Sequence, residues 1–343
     1  MRLLLIGFGA VGQGLATILR DQAAYLLERS GFEAHIVGVV TRTRGLLYQP
    51  DGLSIDALLE AIGKGHLDLY PTERGLIRQM DPLDLIRTAA ADALVEVSYS
   101  NLQTAQPALD YCRAALESGK HVVMANKGPA ALAYAELQAL GQQVGKFVGI
   151  EATVMAGTPT LRLALEALAG CRILAARGIL NGTTNYILTQ MESGMAYGEA
   201  LEEAQALGYA EADPTADVEG WDAAGKAVIL AAAVFQQHLS LETMPVKGIS
   251  HLTRVDLEEA QAAGECWKLI ATVTPDGGQV EPVRLPLSHP LARVSGATNA
   301  VTFSTDLLGD VTLVGPGAGP IATGFGLLAD LFTAQRAGQL KKS

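Results

Sequence analysis

Four carboxylates, Glu211, Asp213, Asp217 and Glu219, crowd into residues 208–226 and lead into a helical run that is apolar on every side except at Asp222 and Lys226. Those two are four residues apart, so one helix face carries both. Such a pair is either a structural ion pair on a half-exposed helix or the polar part of a site. Burying two charges costs several kcal/mol unless a ligand or network uses them, and the stretch therefore reads as an active site. Its chemistry would be that of acids that hold a cation and a lysine that exchanges a proton.

A second group opens the chain. A short buried-strand pattern at 2–6 runs into Gly7-Phe8-Gly9-Ala10-Val11-Gly12 and then into a helical pattern through about Leu27. In that strand, turn and helix context, Gly7 permits the tight turn, Gly9 lets the backbone approach a pyrophosphate, and Gly12 lets helix and strand pack closely. The helix N-terminus would hold the phosphates of a dinucleotide; the bland alternative is a glycine turn with packing duties only. The next strand, 34–40, ends in Thr41-Arg42-Thr43-Arg44 and lacks the acid that usually grips a ribose 2′-hydroxyl. Arg42 and Arg44 suit a 2′-phosphate, so NADP is preferred over NAD unless both arginines are merely solvated loop charges.

The elements that must position these residues follow from patterning. A buried strand at 93–98 ends in Ser98-Tyr99-Ser100-Asn101, a helical pattern covers 106–118, and a strand at 120–124 runs into Ala125-Asn126-Lys127-Gly128-Pro129. This strand and helix alternation predicts a parallel sheet whose C-terminal edge presents Ser98 and Lys127. Two short helical patterns lie at 54–62 and 82–89, and a further helix at 132–144 precedes a strand at 147–150. Composition changes after that. A strand at 173–179, the turn Asn181-Gly182-Thr183-Thr184, helices at 186–192 and 199–206, and strands near 269–273 and 283–285 predict a second, mixed α/β domain. The turn before its apolar helix is a capping arrangement whose N–H groups, with Thr183, could hold a substrate carboxylate. Gly315-Pro316-Gly317-Ala318-Gly319 reads as a second glycine turn before a helix at 322–335, by which the chain returns to the first domain. The expected fold class is α/β: a Rossmann-type doubly wound nucleotide-binding domain of residues 1–150 plus 308–343, and a second mixed α/β domain of 151–307 for substrate binding, catalysis and dimerisation.

Composition narrows the function classes. At 343 residues and 49% hydrophobic content there is ample material for a buried core. A net charge of −11 and the lack of a dense basic run argue against nucleic acid or an anionic membrane as partner. Cys112, Cys171 and Cys266 are odd in number and far apart, which indicates neither a disulfide framework nor a zinc site. With no signal-like or membrane-spanning stretch, a cytoplasmic location is expected.

With these motifs assembled, the chain closely resembles homoserine dehydrogenase from Gly7 to about Leu331. Four signatures stand in family order: the N-terminal glycines, the run from Val122 to Pro129, the run from Gly178 to Tyr186, and residues 208–226. The resemblance implies interconversion of L-homoserine and L-aspartate 4-semialdehyde with NAD(P), on the route to threonine and methionine, and a homodimer joined through the second domain. It implies that Lys226 is the catalytic lysine and Lys127 a second active-site lysine, and that Glu211 and Asp222 bind substrate with Asp217 in the same acidic loop. It implies nucleotide contacts at Gly7, Gly9, Gly12, Ser98 and around Gly317. It also implies an alkali ion such as sodium, held by Glu151 and the carbonyls of Val154, Ala156 and Thr158, although Met155 stands where many relatives have glycine. Many relatives carry an ACT or aspartokinase domain for which this chain has no room, so little response to threonine is expected. An Asp beside a lysine favours the ammonium form, which suits proton donation to an aldehyde, so alkaline pH should favour homoserine oxidation. Two alternatives remain: another amino-acid or sugar dehydrogenase of similar build, and a catalytically silent NADP-binding sensor.

Overall fold

The computed structural model describes residues 1–340. The chain divides into two units, one of Met1–Gly157 together with the segment from Gly319 on, the other of Thr158–Ala318.

The first unit is built on a six-stranded sheet of β1 (Arg2–Ile6), β2 (His35–Val40), β3 (Leu46–Tyr48), β4 (Ala93–Glu96), β5 (His121–Met124) and β6 (Val148–Gly149), in the order β3-β2-β1-β4-β5-β6. Every pairing is parallel except β2 with β3. Leu3, Leu4, Leu5, Val39, Val95 and Val123 are fully buried, as expected of parallel strands covered on both faces. From β1 the chain crosses to β2 on one side and later to β4 on the other. The crevice where a doubly wound sheet receives its ligand therefore lies between the C-terminal ends of β1 and β4. The helix Pro320–Leu340 packs on the helix Ala10–Asp21, and the contact depends on glycine: a Cβ on Gly14 would lie 2.1 Å from the Pro320 carbonyl oxygen.

The second unit carries a five-stranded antiparallel sheet of β7 (Ile173–Ile179), β8 (Glu265–Thr274), β9 (Gly277–Pro286), β10 (Thr298–Thr305) and β11 (Gly309–Pro316), in the order β11-β10-β7-β8-β9. The helix Trp221–Val234 is buried along Ala223–Ala231 and packs on β8 and β9. The helix Gly182–Glu192 follows β7 directly.

Several element boundaries differ from the sequence reading. The first helical pattern is not continuous to Leu27 but breaks at Gln22 into Ala10–Asp21 and Ala23–Ser30, the second helix burying only Leu26. β3 went unread because three residues are too few to show a period. β10 went unread because Asn299, Thr302, Ser304 and Thr305 interrupt its apolar positions, yet most of the strand is buried. The expected glycine turn at 315–319 is shorter: Gly315 and Pro316 belong to β11, an edge strand that tolerates proline. Asn181 starts its helix earlier than residue 186, by accepting from the Thr184 N–H at 2.9 Å. The helix Arg254–Ala262 has a low apolar content and was missed, although Thr253 and Asp256 form a capping box.

Candidate active site

In the first unit, the turn after β1 is shaped by what lies beside it. Gly7 has φ +100°, and a Cβ there would lie 2.4 Å from the Val97 carbonyl oxygen and 2.8 Å from the Ser98 nitrogen. Only glycine lets β1 and β4 end side by side. Phe8 is buried, Gly12 packs against the Gly7 carbonyl oxygen and Phe8, and Ala10 and Val11 begin the helix. At Gly9, which precedes that helix, a Cβ would meet nothing within 4 Å, leaving the backbone open to a pyrophosphate. Arg42 and Arg44 are both exposed in the tight turn joining β2 to β3, which Thr41 closes by donating from Oγ1 to the Gly45 carbonyl at 2.7 Å. No carboxylate stands in that turn.

Ser98 and Lys127 follow the neighbouring strands β4 and β5, and one buried acid ties their surroundings together. Glu96, fully buried at the end of β4, accepts through Oε1 from the Ser98 N–H at 2.9 Å, from the Ser98 hydroxyl, and from Asn126 Nδ2 at 3.2 Å. Burial pushes its carboxyl up to about 7, against hydrogen bonds from Ser98 and Asn126 that favour the anion. Asn126 in turn caps the helix Lys127–Leu132 by accepting from the Gly128 N–H at 3.0 Å, and the Lys127 N–H donates to Ser100 Oγ at 3.0 Å. The sequence reading passed over Glu96; a lone acid ending an apolar strand was the available signal.

In the second unit, Lys226 and Asp222 meet as the i,i+4 spacing requires, with Nζ 2.7 Å from Oδ2 and side-chain exposures of 8% and 18%. Lys226 also donates to the Leu180 carbonyl oxygen at 2.6 Å. Asn181 Nδ2 donates both to Asp217 Oδ1 at 2.7 Å and to Asp222 Oδ2 at 3.0 Å, so a single amide holds two carboxylates close together. The Asp217 carboxyl is raised above its ordinary value, first by burial and then by the charge of Asp222, with Asn181, Lys226 and Thr183 opposing. Thr183, itself buried, donates to the Tyr209 carbonyl oxygen at 2.6 Å. The structure thus brings together Lys226, Asp222, Asp217, Asn181 and Thr183. It does not bring in Glu211, whose side chain is exposed and whose backbone carbonyl accepts from Gln205 Nε2 at 3.0 Å.

The remaining expected positions are dispersed. Gly317 follows β11, and a Cβ there would overlap the buried Asn299 side chain at 2.1 Å. Glu151 is 4% exposed and its N–H donates to Asp330 Oδ2 at 2.9 Å; Val154 and Ala156 are buried, Ala156 with φ +52°. Thr158 begins the second unit, and its carbonyl accepts from the Thr160 N–H at 2.7 Å.

A dinucleotide-binding edge in one unit and a carboxylate and lysine cluster in the other are patterns that comparison can place. The family model for homoserine dehydrogenase matches residues 159–332, and the model for the homoserine dehydrogenase NAD-binding domain matches residues 7–150. The chain belongs to the homoserine dehydrogenase family. It is 44% identical to the NAD(+)-dependent homoserine dehydrogenase of Pseudomonas canavaninivorans, over 96% of this chain and 95% of that one. It is 43% identical to the homoserine dehydrogenase of Methanocaldococcus jannaschii, over 96% and 97%. Among solved structures it is similar to the homoserine dehydrogenase of Thiobacillus denitrificans, with a TM-score of 0.83 at 34% identity, covering 99% of this chain and 74% of that chain. A hyperthermophilic archaeal homoserine dehydrogenase in complex with NADPH gives a TM-score of 0.83 at 30% identity, covering 98% and 97%. As a member of this family the chain is an oxidoreductase that interconverts L-homoserine and L-aspartate 4-semialdehyde with a nicotinamide dinucleotide, and the alternative dehydrogenase and sensor readings are not favoured. Among the described residues no helix is long and apolar enough to cross a membrane.

Proposed function

We propose that Lys226 is the proton-transfer group of this reaction and that Asp217 and Asp222 hold the substrate ammonium, Glu211 of the same acidic loop being exposed and outside their cluster. The carrying observation is the anchoring of Lys226: Asp222 Oδ2 at 2.7 Å and the Leu180 carbonyl at 2.6 Å take two of its three N–H donors. The third is left to meet the substrate oxygen, donating to the aldehyde as hydride arrives and accepting from the alcohol in the reverse direction after deprotonation. Asp217 and Asp222, held close by Asn181, set two carboxylates against the single ammonium of Lys226, an imbalance that the ammonium of homoserine would relieve. Thr183 and the N-terminus of the helix Gly182–Glu192 are suited to the substrate carboxylate. Lys127, at the C-terminal edge of the parallel sheet, is the second active-site lysine and meets the nucleotide or the substrate.

The nucleotide reading rests on Gly7 through Gly12, with Ser98 at the end of β4 and Gly317 as a further contact. The dinucleotide supplies the hydride acceptor or donor; the chain supplies its cradle. Arg42 and Arg44, exposed with no acid in their turn, favour NADP, whereas the name of the Pseudomonas relative favours NAD. The alkali ion that the resemblance implies, such as sodium, would take hard oxygen donors, and the buried Glu151 carboxylate and the carbonyls of Val154, Ala156 and Thr158 are of that chemical kind. A homodimer through the second unit is supported by the exposed apolar side chains of Leu165, Leu174 and Val314. The direct test is L-homoserine oxidation followed by the absorbance of the reduced nicotinamide, with NAD and NADP in parallel. Turnover with L-homoserine and a lower KM for NADP is expected; no turnover with either nucleotide would contradict the assignment, and a lower KM for NAD would contradict the preference.

A further inference from the structure

Glu96 is a fully buried acid that the reaction does not use, and its surroundings are organised around one of its oxygens. Oε1 gathers the Ser98 N–H, the Ser98 hydroxyl and Asn126 Nδ2, whereas Oε2 is buried with no hydrogen-bond partner. An orphaned carboxyl oxygen is costly to bury, so the group calls for an explanation. Asn126 is a second hub: its Nδ2 lies 3.2 Å from Ser98 Oγ, 3.4 Å from the Ser98 carbonyl and 3.3 Å from the Tyr99 carbonyl, while its Oδ1 caps the helix that begins at Lys127. The following Gly128 is tight against the Asn101 carbonyl, where a Cβ would lie 2.6 Å away. The loop after β4 and the loop after β5 are therefore pinned to each other through one carboxyl.

We propose that Glu96 is a positioning residue for nucleotide binding: through Ser98 and Asn126 its carboxyl fixes both the loop that follows β4 and the start of the helix carrying Lys127. This rests on the reading above that Ser98 and Lys127 serve the nucleotide edge. The titratable groups around Glu96 are Tyr111 and Cys112 of the helix Ala108–Glu117, both raised first by burial and then by its charge, and Lys127 one residue beyond Asn126. With its carboxyl at about 7, Glu96 changes charge in the neutral range. A nucleotide brings phosphate charge to the same sheet edge, so binding favours the neutral acid. Affinity then weakens as pH rises past that value.

The test is a fluorescence titration of NADPH and NADH against wild type, Glu96→Gln and Glu96→Ala between pH 6 and 8.5, taking the ratio of variant to wild type so that titration of the nucleotide itself cancels. Wild-type Kd should rise roughly three- to tenfold across the range relative to Glu96→Gln, the size expected for one charge about 10 Å away at an intermediate dielectric. Glu96→Gln, which keeps the Oε1 acceptor, should bind within about threefold of wild type at pH 6, and Glu96→Ala about tenfold more weakly. A Gln variant that follows the wild-type pH curve, or an Ala variant with wild-type Kd, overturns the proposal. If Glu96→Ala does not fold, the Gln curve alone decides. A wild type that binds neither nucleotide overturns the reading of the edge, and the proposal with it.

Discussion

Glu96 in the first unit and Asp222 in the second are both carboxylates removed from most solvent, and the chain treats them in opposite ways. Glu96 receives its hydrogen bonds from neutral donors, a serine and an asparagine, and burial raises its pKa toward neutrality. Asp222 is met by the ammonium of Lys226 and shares Asn181 with a second acid, Asp217. One arrangement makes the carboxyl a structural hinge pin that carries a proton; the other keeps charge in place for chemistry. The difference teaches where function is to be sought: in the proposed reading the ion-paired acid serves the substrate, while the acid among neutral donors holds backbone.

The comparison can be broken most severely at Asp222. Replacing it by Asn leaves the Lys226 ammonium buried beside an amide, and losing one partner of a buried pair is expected to cost about 3–5 kcal/mol of stability, read by urea unfolding. A loss below about 1 kcal/mol would mean that solvent already screens the pair. The corresponding change at Glu96 should act through pH instead. Its folded-state pKa of about 7 lies above the ordinary glutamate value, so its stabilising contribution is complete below that ordinary value and is lost as pH rises through about 7. Wild type should therefore lose about 3 kcal/mol relative to Glu96→Gln between roughly pH 4.5 and 7, and parallel stability curves would remove the contrast.

Smaller effects sharpen the picture. Arg42→Ala should raise the Kd for NADP by about 10- to 150-fold, the worth of hydrogen bonds to a charged group, and leave the Kd for NAD nearly unchanged. Equal losses for both nucleotides would reduce the arginine to loop support. For Asp217, whose raised pKa reflects burial and Asp222, a substrate ammonium favours the ionised form. The KM for L-homoserine should accordingly rise as pH falls into the acid range, and Asp217→Asn should flatten that rise. An unchanged acid limb in the variant would place the titrating group elsewhere.

Much of this was legible in the sequence because glycine and charge are hard to place by accident. Gly7 is required by the closeness of Val97 and Ser98, and Asp222 with Lys226 by the helical repeat. The parallel sheet was readable from uninterrupted apolar runs such as Leu3-Leu4-Leu5-Ile6. The antiparallel half was legible only in part: β7 and stretches of β8 and β9 could be read, but β10 and β11 mix threonine, glycine and proline with their apolar positions, and only the pairing of β10 with β7 and of β11 with β10 reveals them as strands. Glu96 was missed for a related reason: its significance lies in Asn126, thirty residues away in sequence and 3.2 Å away in space.

The central claim, that the anchored lysine of the second unit moves the proton, is tested most directly by Lys226→Ala assayed for kcat while nucleotide Kd is measured by fluorescence on the same preparation. The account predicts a fall in kcat of about 10²- to 10⁴-fold with nucleotide affinity nearly unchanged, because the glycine turn of the first unit is untouched. A variant that keeps more than about a tenth of wild-type kcat, when a general acid or base is worth at least tenfold more than that, would contradict it.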